Sequence, residues 1–181
     1  MCAYSSAAQI AYIYMGIGLG NELAICASLF QICAHCLTKP VLFLTAFSLF
    51  KINGSSYLPD LKGSSKKDLF TCLIFCEAAF SMVGIPLTAG FMSKFLFSKA
   101  AFMVSGWRLY SVLAVLAIST ILNTLYFTRA LIILFLNDGE KETKAALSYR
   151  ISVLCFVILN FSLGIFAGRY LNILIKGIDL F

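Results

Sequence analysis

"LAICASLFQICAHCLTKPVLFLTAFSLF", residues 23–50, is a long apolar run with a lysine near its centre. Its apolar and polar positions do not alternate with period two, which argues against a strand of a membrane barrel. As a helix it measures about 42 Å at 1.5 Å per residue. That exceeds the ~30 Å hydrocarbon core of a bilayer, so the helix tilts, bends or overhangs. Gln31, His35 and Lys39 recur at i, i+4 and i+8. They share an arc of about 80° on one face and rise about 12 Å along it. Lys39 lies far from both ends, where its ammonium cannot snorkel to the surface. A lysine at that depth costs ~2.5–3.5 kcal/mol on insertion scales.

The rest of the chain agrees with a membrane setting. Of 181 residues, 61% are hydrophobic and only 12% charged, and the mean hydropathy is +0.94. Soluble domains run at roughly 45–50% apolar and about 25% charged. The composition therefore predicts an all-α, polytopic transmembrane helix bundle in a single domain. Five membrane segments are expected, at about 3–19, 23–50, 68–104, 108–136 and 151–173. The third is too long for one straight span, and "GIP" at 84–86 and Gly90 interrupt it. Charge decides how often it crosses. A single crossing puts loops 51–67 and 137–150 on one side, with Lys51, Lys62, Lys66, Lys67, Lys141, Lys144 and Arg150 together. The positive-inside bias favours that arrangement and makes both loops cytoplasmic. The segment is then one discontinuous helix, tolerated where freed backbone is buried in protein or faces water.

Several other functions are disfavoured. The formal net charge of +6 need not mean nucleic acid: Lys51, Lys62, Lys66 and Lys67 lie in one loop, which reads as topology rather than nucleic-acid binding. Six of the seven cysteines fall inside apolar runs, where cysteine behaves as a small hydrophobe. Cys33 and Cys36 form a CxxC with no second pair at zinc spacing; no metal site is expected. Gly16, Gly18 and Gly20 follow no strand and read as helix-packing positions. No basic region precedes the first apolar segment, so a signal peptide is not indicated. Tyr126 and Arg129 read as interfacial anchors.

The polar residues within the segments are the candidate site. Ionisable groups inside a membrane are functional by default. Desolvation disfavours the charged form of an amine, and histidine titrates near neutrality. Lys39 and His35 on one face therefore have the chemistry of a proton relay, with Gln31 able to bond but not to carry charge. The competing structural reading pairs Lys39 with a carboxylate on a neighbouring helix and packs His35 as an interhelical hydrogen bonder. Pro40 lacks an N–H and frees the carbonyl of Cys36, which predicts an interruption or bend beside Lys39. Lys94 follows the break at Gly84, Ile85 and Pro86 as a second relay candidate. Glu77, in "IFCEAAF", is a counter-charge, a proton stop or an end-of-helix residue.

Three stretches together resemble one family. "AYSSAAQIAYIYMGIGLG" (3–20) is similar to its AYSSISQIGY helix start, "FQICAHCLTKPVLFLTAF" (30–47) to its HxxxHALxKALLFL helix, and "FSMVGIPLTAGFMSKF" (80–95) to its SLAGIPPxxGFxSK segment. The family comprises the antiporter-like membrane subunits of respiratory complex I (NADH-quinone oxidoreductase), of Mrp-type sodium/proton antiporters and of membrane-bound hydrogenases. The resemblance implies a fold of two inverted repeats and a mid-membrane chain of lysine, histidine and glutamate, with water between them, that carries protons. Lys39 matches the lysine of the central helix, His35 the histidine one turn before it, and Lys94 the lysine of the broken helix. Gln31 stands where some members have a second histidine. Pro40 and Leu87 depart from the pattern, and Glu77 is not part of it. The chain starts where the second repeat of the family starts, so a C-terminal fragment is expected, its first repeat supplied in cis or in trans.

The function expected from this is proton translocation, as all or part of a membrane subunit of a complex I-like oxidoreductase or hydrogenase. The alternatives are a subunit of an Mrp-type Na+/H+ antiporter, or a fragment with only a packing role. No cofactor is expected on this chain; in the resembling complexes quinone, NADH and iron–sulfur centres belong to other subunits. The expected partners are membrane lipid and other membrane subunits of such an assembly, not nucleic acid. The expected location is a bacterial or archaeal cytoplasmic membrane.

Overall fold

The computed structural model describes residues 2–136 and 146–178. Among them every regular element is helical: α1 (Cys2–Leu19), α2 (Glu22–Asn53), α3 (Ser64–Lys67), α4 (Leu69–Val83), α5 (Ala89–Ala101), α6 (Trp107–Phe135), α7 (Leu147–Ile165) and α8 (Ala167–Ile178), with one 3-10 turn at Leu58–Leu61. Three helices, α2, α6 and α7, are each long and apolar enough to cross a membrane. The others are shorter, at 18 residues for α1, 15 for α4 and 13 for α5.

Local chemistry sets the boundaries. Asn21 caps α2, its side-chain oxygen accepting the Ala24 N–H at 2.8 Å. Its amide nitrogen donates to the Ala100 carbonyl at 3.1 Å and ties the start of α2 to the end of α5. Gly54, at φ 70°, ends α2 in the left-handed conformation that glycine tolerates best. Asp68 and Thr88 cap α4 and α5 with their side-chain oxygens. No interruption occurs at Pro40; α2 continues through it for 32 residues. The proline φ is already helical, and its neighbours Lys39 and Val41 are buried in the bundle, so packing holds the helix where one backbone bond is missing.

The segment 68–104 is discontinuous. α4 stops at Gly84 (φ 92°) and α5 starts at Ala89. The two halves lie end to end along α2 and antiparallel to it. α5 shares a core with the first half of α2, through Phe30, Ala34, Phe97 and Ala100. α4 shares another with its second half, through Val41, Leu49, Phe75 and Ala78. α6 and α7 span both cores. The stretch 151–173 is divided at Phe166. α8, with Arg169 and Lys176, turns one side to the first core through Ala167, Leu171 and Leu174. Most of the loop expected over 137–150, with Lys141 and Lys144, lies outside the described residues; Tyr149 and Arg150 are already in α7.

Candidate functional site

Lys39 sits near the midpoint of α2 and is only 6% exposed. Its ammonium carries three N–H donors. One goes to the Ser5 hydroxyl at 2.5 Å and one to the carbonyl of Cys2 at 2.8 Å. Both acceptors belong to α1. The Phe43 ring lies 5.9 Å from Nζ, within cation–π range. Among the described residues no carboxylate pairs with Lys39, whose hydrogen bonds go to neutral oxygens. Ser5 Oγ also donates to Cys2 O, at 2.8 Å. A hydroxyl can reverse its role, so the same serine serves a charged or a neutral amine.

Gln31, two turns earlier, is buried and neutral. Its amide nitrogen donates to Gln9 Oε1 of α1 at 2.7 Å, and its oxygen accepts from the Ser93 hydroxyl of α5. Gln9, Gln31 and Ser93 thus form an uncharged polar bridge across three helices. His35, between Gln31 and Lys39, is half-buried. Its Nδ1 is shielded from solvent without a hydrogen-bond partner among the described residues.

Lys94 occupies a different kind of site. It projects from α5 back onto the end of α4, where the break leaves carbonyls without helical donors. Nζ donates to Val83 O at 2.5 Å, to Met82 O at 3.2 Å and to Thr120 Oγ1 of α6 at 3.2 Å. A cation at a helix C-terminus is also favoured by the helix dipole. Among the described residues no hydrogen bond joins Lys94 to Lys39 or to His35.

A second polar cluster lies at the break. Asn160 of α7 donates to Thr38 Oγ1 at 2.8 Å and to Ser81 Oγ at 3.0 Å. Its carbonyl oxygen accepts the Ala89 N–H at 3.2 Å, an orphan donor at the start of α5. Thr38 and Ser81 are themselves 3.2 Å apart. Close approach is essential here. A Cβ on Gly90 would run into the Ser81 carbonyl, and one on Gly164 into the carbonyl of Leu87. Leu87 itself has a φ of 79°, rare for a branched residue.

Glu77 lies in the middle of α4, half-buried, so it is not an end-of-helix residue. Its Oε1 is shielded without a partner among the described residues, and neither lysine reaches it. Sequence reasoning missed Ser5, Gln9, Thr38, Ser81, Thr120 and Asn160. Each sits in a helix that is mostly apolar. Ser5 and Gln9 lie four residues apart on α1 while their partners Lys39 and Gln31 lie eight apart on α2, so spacing alone does not pair them.

Residues 1–123 match the family described as NADH:quinone oxidoreductase/Mrp antiporter, TM. The chain is 37% identical over 131 residues to the NADH-quinone oxidoreductase subunit N of Desulforudis audaxviator, covering 72% of this chain and 26% of that protein. It is 29% identical over 157 residues to a Na(+)/H(+) antiporter subunit of Alkalihalophilus pseudofirmus, covering 87% of this chain and 31% of the relative. The chain thus spans between a quarter and a third of the length of these two relatives. In fold it is similar to a chain of the membrane-bound sulfane sulfur reductase, an archaeal respiratory membrane complex. The TM-score is 0.85 at 23% identity, over 97% of this chain and 35% of the other.

Proposed function

Since the chain belongs to the NADH:quinone oxidoreductase/Mrp antiporter membrane family, we propose that it forms a proton-translocating part of a redox-driven membrane complex. One observation carries this reading: Lys39 is buried at mid-helix and held by two neutral oxygens, with no counter-anion among the described residues. A structural lysine is expected to be paired or to reach the surface. An amine that must exchange its proton needs partners that serve both of its states, as Ser5 Oγ does.

In this reading Lys39 and Lys94 are the proton-holding groups. His35 joins them through water, since no direct bond spans the gap among the described residues. Gln31 is neutral and fixed by Gln9 and Ser93. It shapes the path without carrying the proton. Charge movement in neighbouring redox subunits changes the cost of an ammonium at Lys39 and drives its proton toward Lys94. The break supplies the second site by presenting backbone carbonyls at membrane depth. Glu77, whose Oε1 has no partner among the described residues, is a candidate further proton stop. The chain lies in a bacterial or archaeal cytoplasmic membrane, with Lys51, Lys62, Lys66 and Lys67 on the cytoplasmic side.

The test is proton uptake by membrane vesicles that contain the complete assembly. Lys39→Met is expected to lower uptake by about a hundredfold, the scale of a lost proton-transfer group, while assembly and electron transfer persist. Wild-type uptake by an assembled Lys39→Met chain sinks the reading. A second reading, exchange of protons against sodium, is favoured by the likeness to the Na(+)/H(+) antiporter relative, which extends over 87% of the chain. Proton movement driven by an imposed sodium gradient, without an electron donor, distinguishes it.

A further inference from the structure

Asn160 is 1% exposed and lies outside the segment that carries the family match. We propose that Asn160 is a positioning residue for proton transfer: it bolts the centre of α2, one residue from Lys39, to both sides of the break that precedes Lys94. The inference rests on the reading of Lys39 and Lys94 as the proton-holding groups.

The geometry is specific. A buried amide is costly unless its donors and acceptor are used. Asn160 uses all of them, and on three different helices: Thr38 of α2, Ser81 at the end of α4 and the Ala89 N–H at the start of α5. A leucine would serve apolar packing as well, without any such requirement. One turn later on α7, Gly164 receives the connecting loop against its bare Cα, beside the carbonyl of Leu87 and the backbone of Thr88. α7 therefore presents an amide to Ser81 and Ala89, which flank the break, and a notch to the backbone of residues 87–89. Leu87, whose carbonyl faces Gly164, has a φ of 79°.

The consequence for the lysines follows from adjacency. Ser81 immediately precedes Met82 and Val83, whose carbonyls hold Lys94 Nζ. Thr38 immediately precedes Lys39. A shift at Asn160 therefore moves the acceptors of one lysine and the backbone of the other. Asn160 carries no titratable proton and does not replace His35 or water in the path. It holds the two sites in one register, and a misplacement of about 1 Å in a transfer geometry costs on the order of a hundredfold.

Leucine and aspartate at this position separate positioning from packing. Ser81 Oγ and the Ala89 N–H already donate to the Asn160 oxygen and can donate to a carboxylate; Thr38 Oγ1 does so by turning its hydrogen from the Ala34 carbonyl, and an anion is favoured at the start of α5. In vesicles containing the complete assembly, Asn160→Leu is expected to lower proton uptake about a hundredfold at unchanged assembly, and Asn160→Asp to restore most of it. Gly164→Ala, which displaces the loop without removing a hydrogen bond, is expected to lower uptake as well. Full uptake by Asn160→Leu, beside loss in Lys39→Met, overturns the inference and leaves the function standing. Full uptake by Lys39→Met overturns both. An aspartate variant as poor as the leucine variant also overturns the inference. If the leucine variant does not assemble, the isosteric Thr38→Val decides: reduced uptake supports the bolt, and wild-type uptake rejects it.

Discussion

Lys39 and Lys94 are the same residue held in two different ways. Lys39 lies in an unbroken helix, and its own backbone offers it nothing. Its acceptors come from α1, one hydroxyl and one carbonyl, with an aromatic ring near the third N–H. Lys94 lies beside a break, and the break provides acceptors. Two carbonyls at the end of α4 and one threonine hydroxyl take all three of its donors. A cation without a counter-anion thus has two solutions inside a helical membrane protein: a polar side chain on a neighbouring helix, or an interrupted helix. The first leaves the helix intact and depends on side-chain pairing. The second binds the lysine into the fold itself.

That contrast predicts opposite effects on stability. Removing Lys39 leaves Ser5 Oγ bonded to Cys2 O, so no buried group is orphaned. Lys39→Met is expected to abolish proton uptake, about a hundredfold, while the thermal unfolding midpoint of the detergent-solubilised assembly holds or rises. A clear fall in that midpoint would erase the distinction. Lys94→Met is expected to lose both, because the Met82 and Val83 carbonyls are left unsatisfied at about 1–3 kcal/mol; an unchanged midpoint counts against the break as a structural site.

Smaller changes sharpen the comparison. Gly90→Ala pushes a methyl into the Ser81 carbonyl and is expected to cost about 1–3 kcal/mol through overpacking. It acts at the break, so the midpoint falls while amine reagents reach Lys39 no faster. Ser5→Ala removes one bond from Lys39 alone and is expected to cost about 1 kcal/mol, with a modest loss of uptake and no change at Lys94. Equal loss of protection at both lysines in Ser5→Ala would show that the two sites are not separate.

Much of this was legible in the residues. The absence of period-two alternation and the length of the apolar runs pointed to helices. "GIP" at 84–86 marked a discontinuity, and it lies where α4 ends at Gly84. The spacing of Gln31, His35 and Lys39 placed them on one face. At Pro40 the missing N–H allowed an interruption or a bend, and α2 runs on without an interruption, because a local rule about one N–H says nothing of packing. Asn160 and Thr38 were not legible as partners: they bond across 122 positions in sequence, and a lone amide in an apolar run carries no periodic signal. Glu77 shows the reverse. Its residue type left a counter-charge, a proton stop and an end-of-helix residue open, and the fold places it at mid-helix, with no bond to Lys39 or Lys94 among the described residues.

By itself the sequence determined that the chain is a bundle of membrane helices, that one of them is broken, and which helices carry the buried amines, because hydrophobic length, periodicity and backbone-breaking residues act locally. Only the tertiary structure decided what those amines touch. Hydrogen-bond partners at membrane depth are chosen by which helices pack side by side and at what height, and that is a property of the assembled bundle rather than of any one stretch of chain.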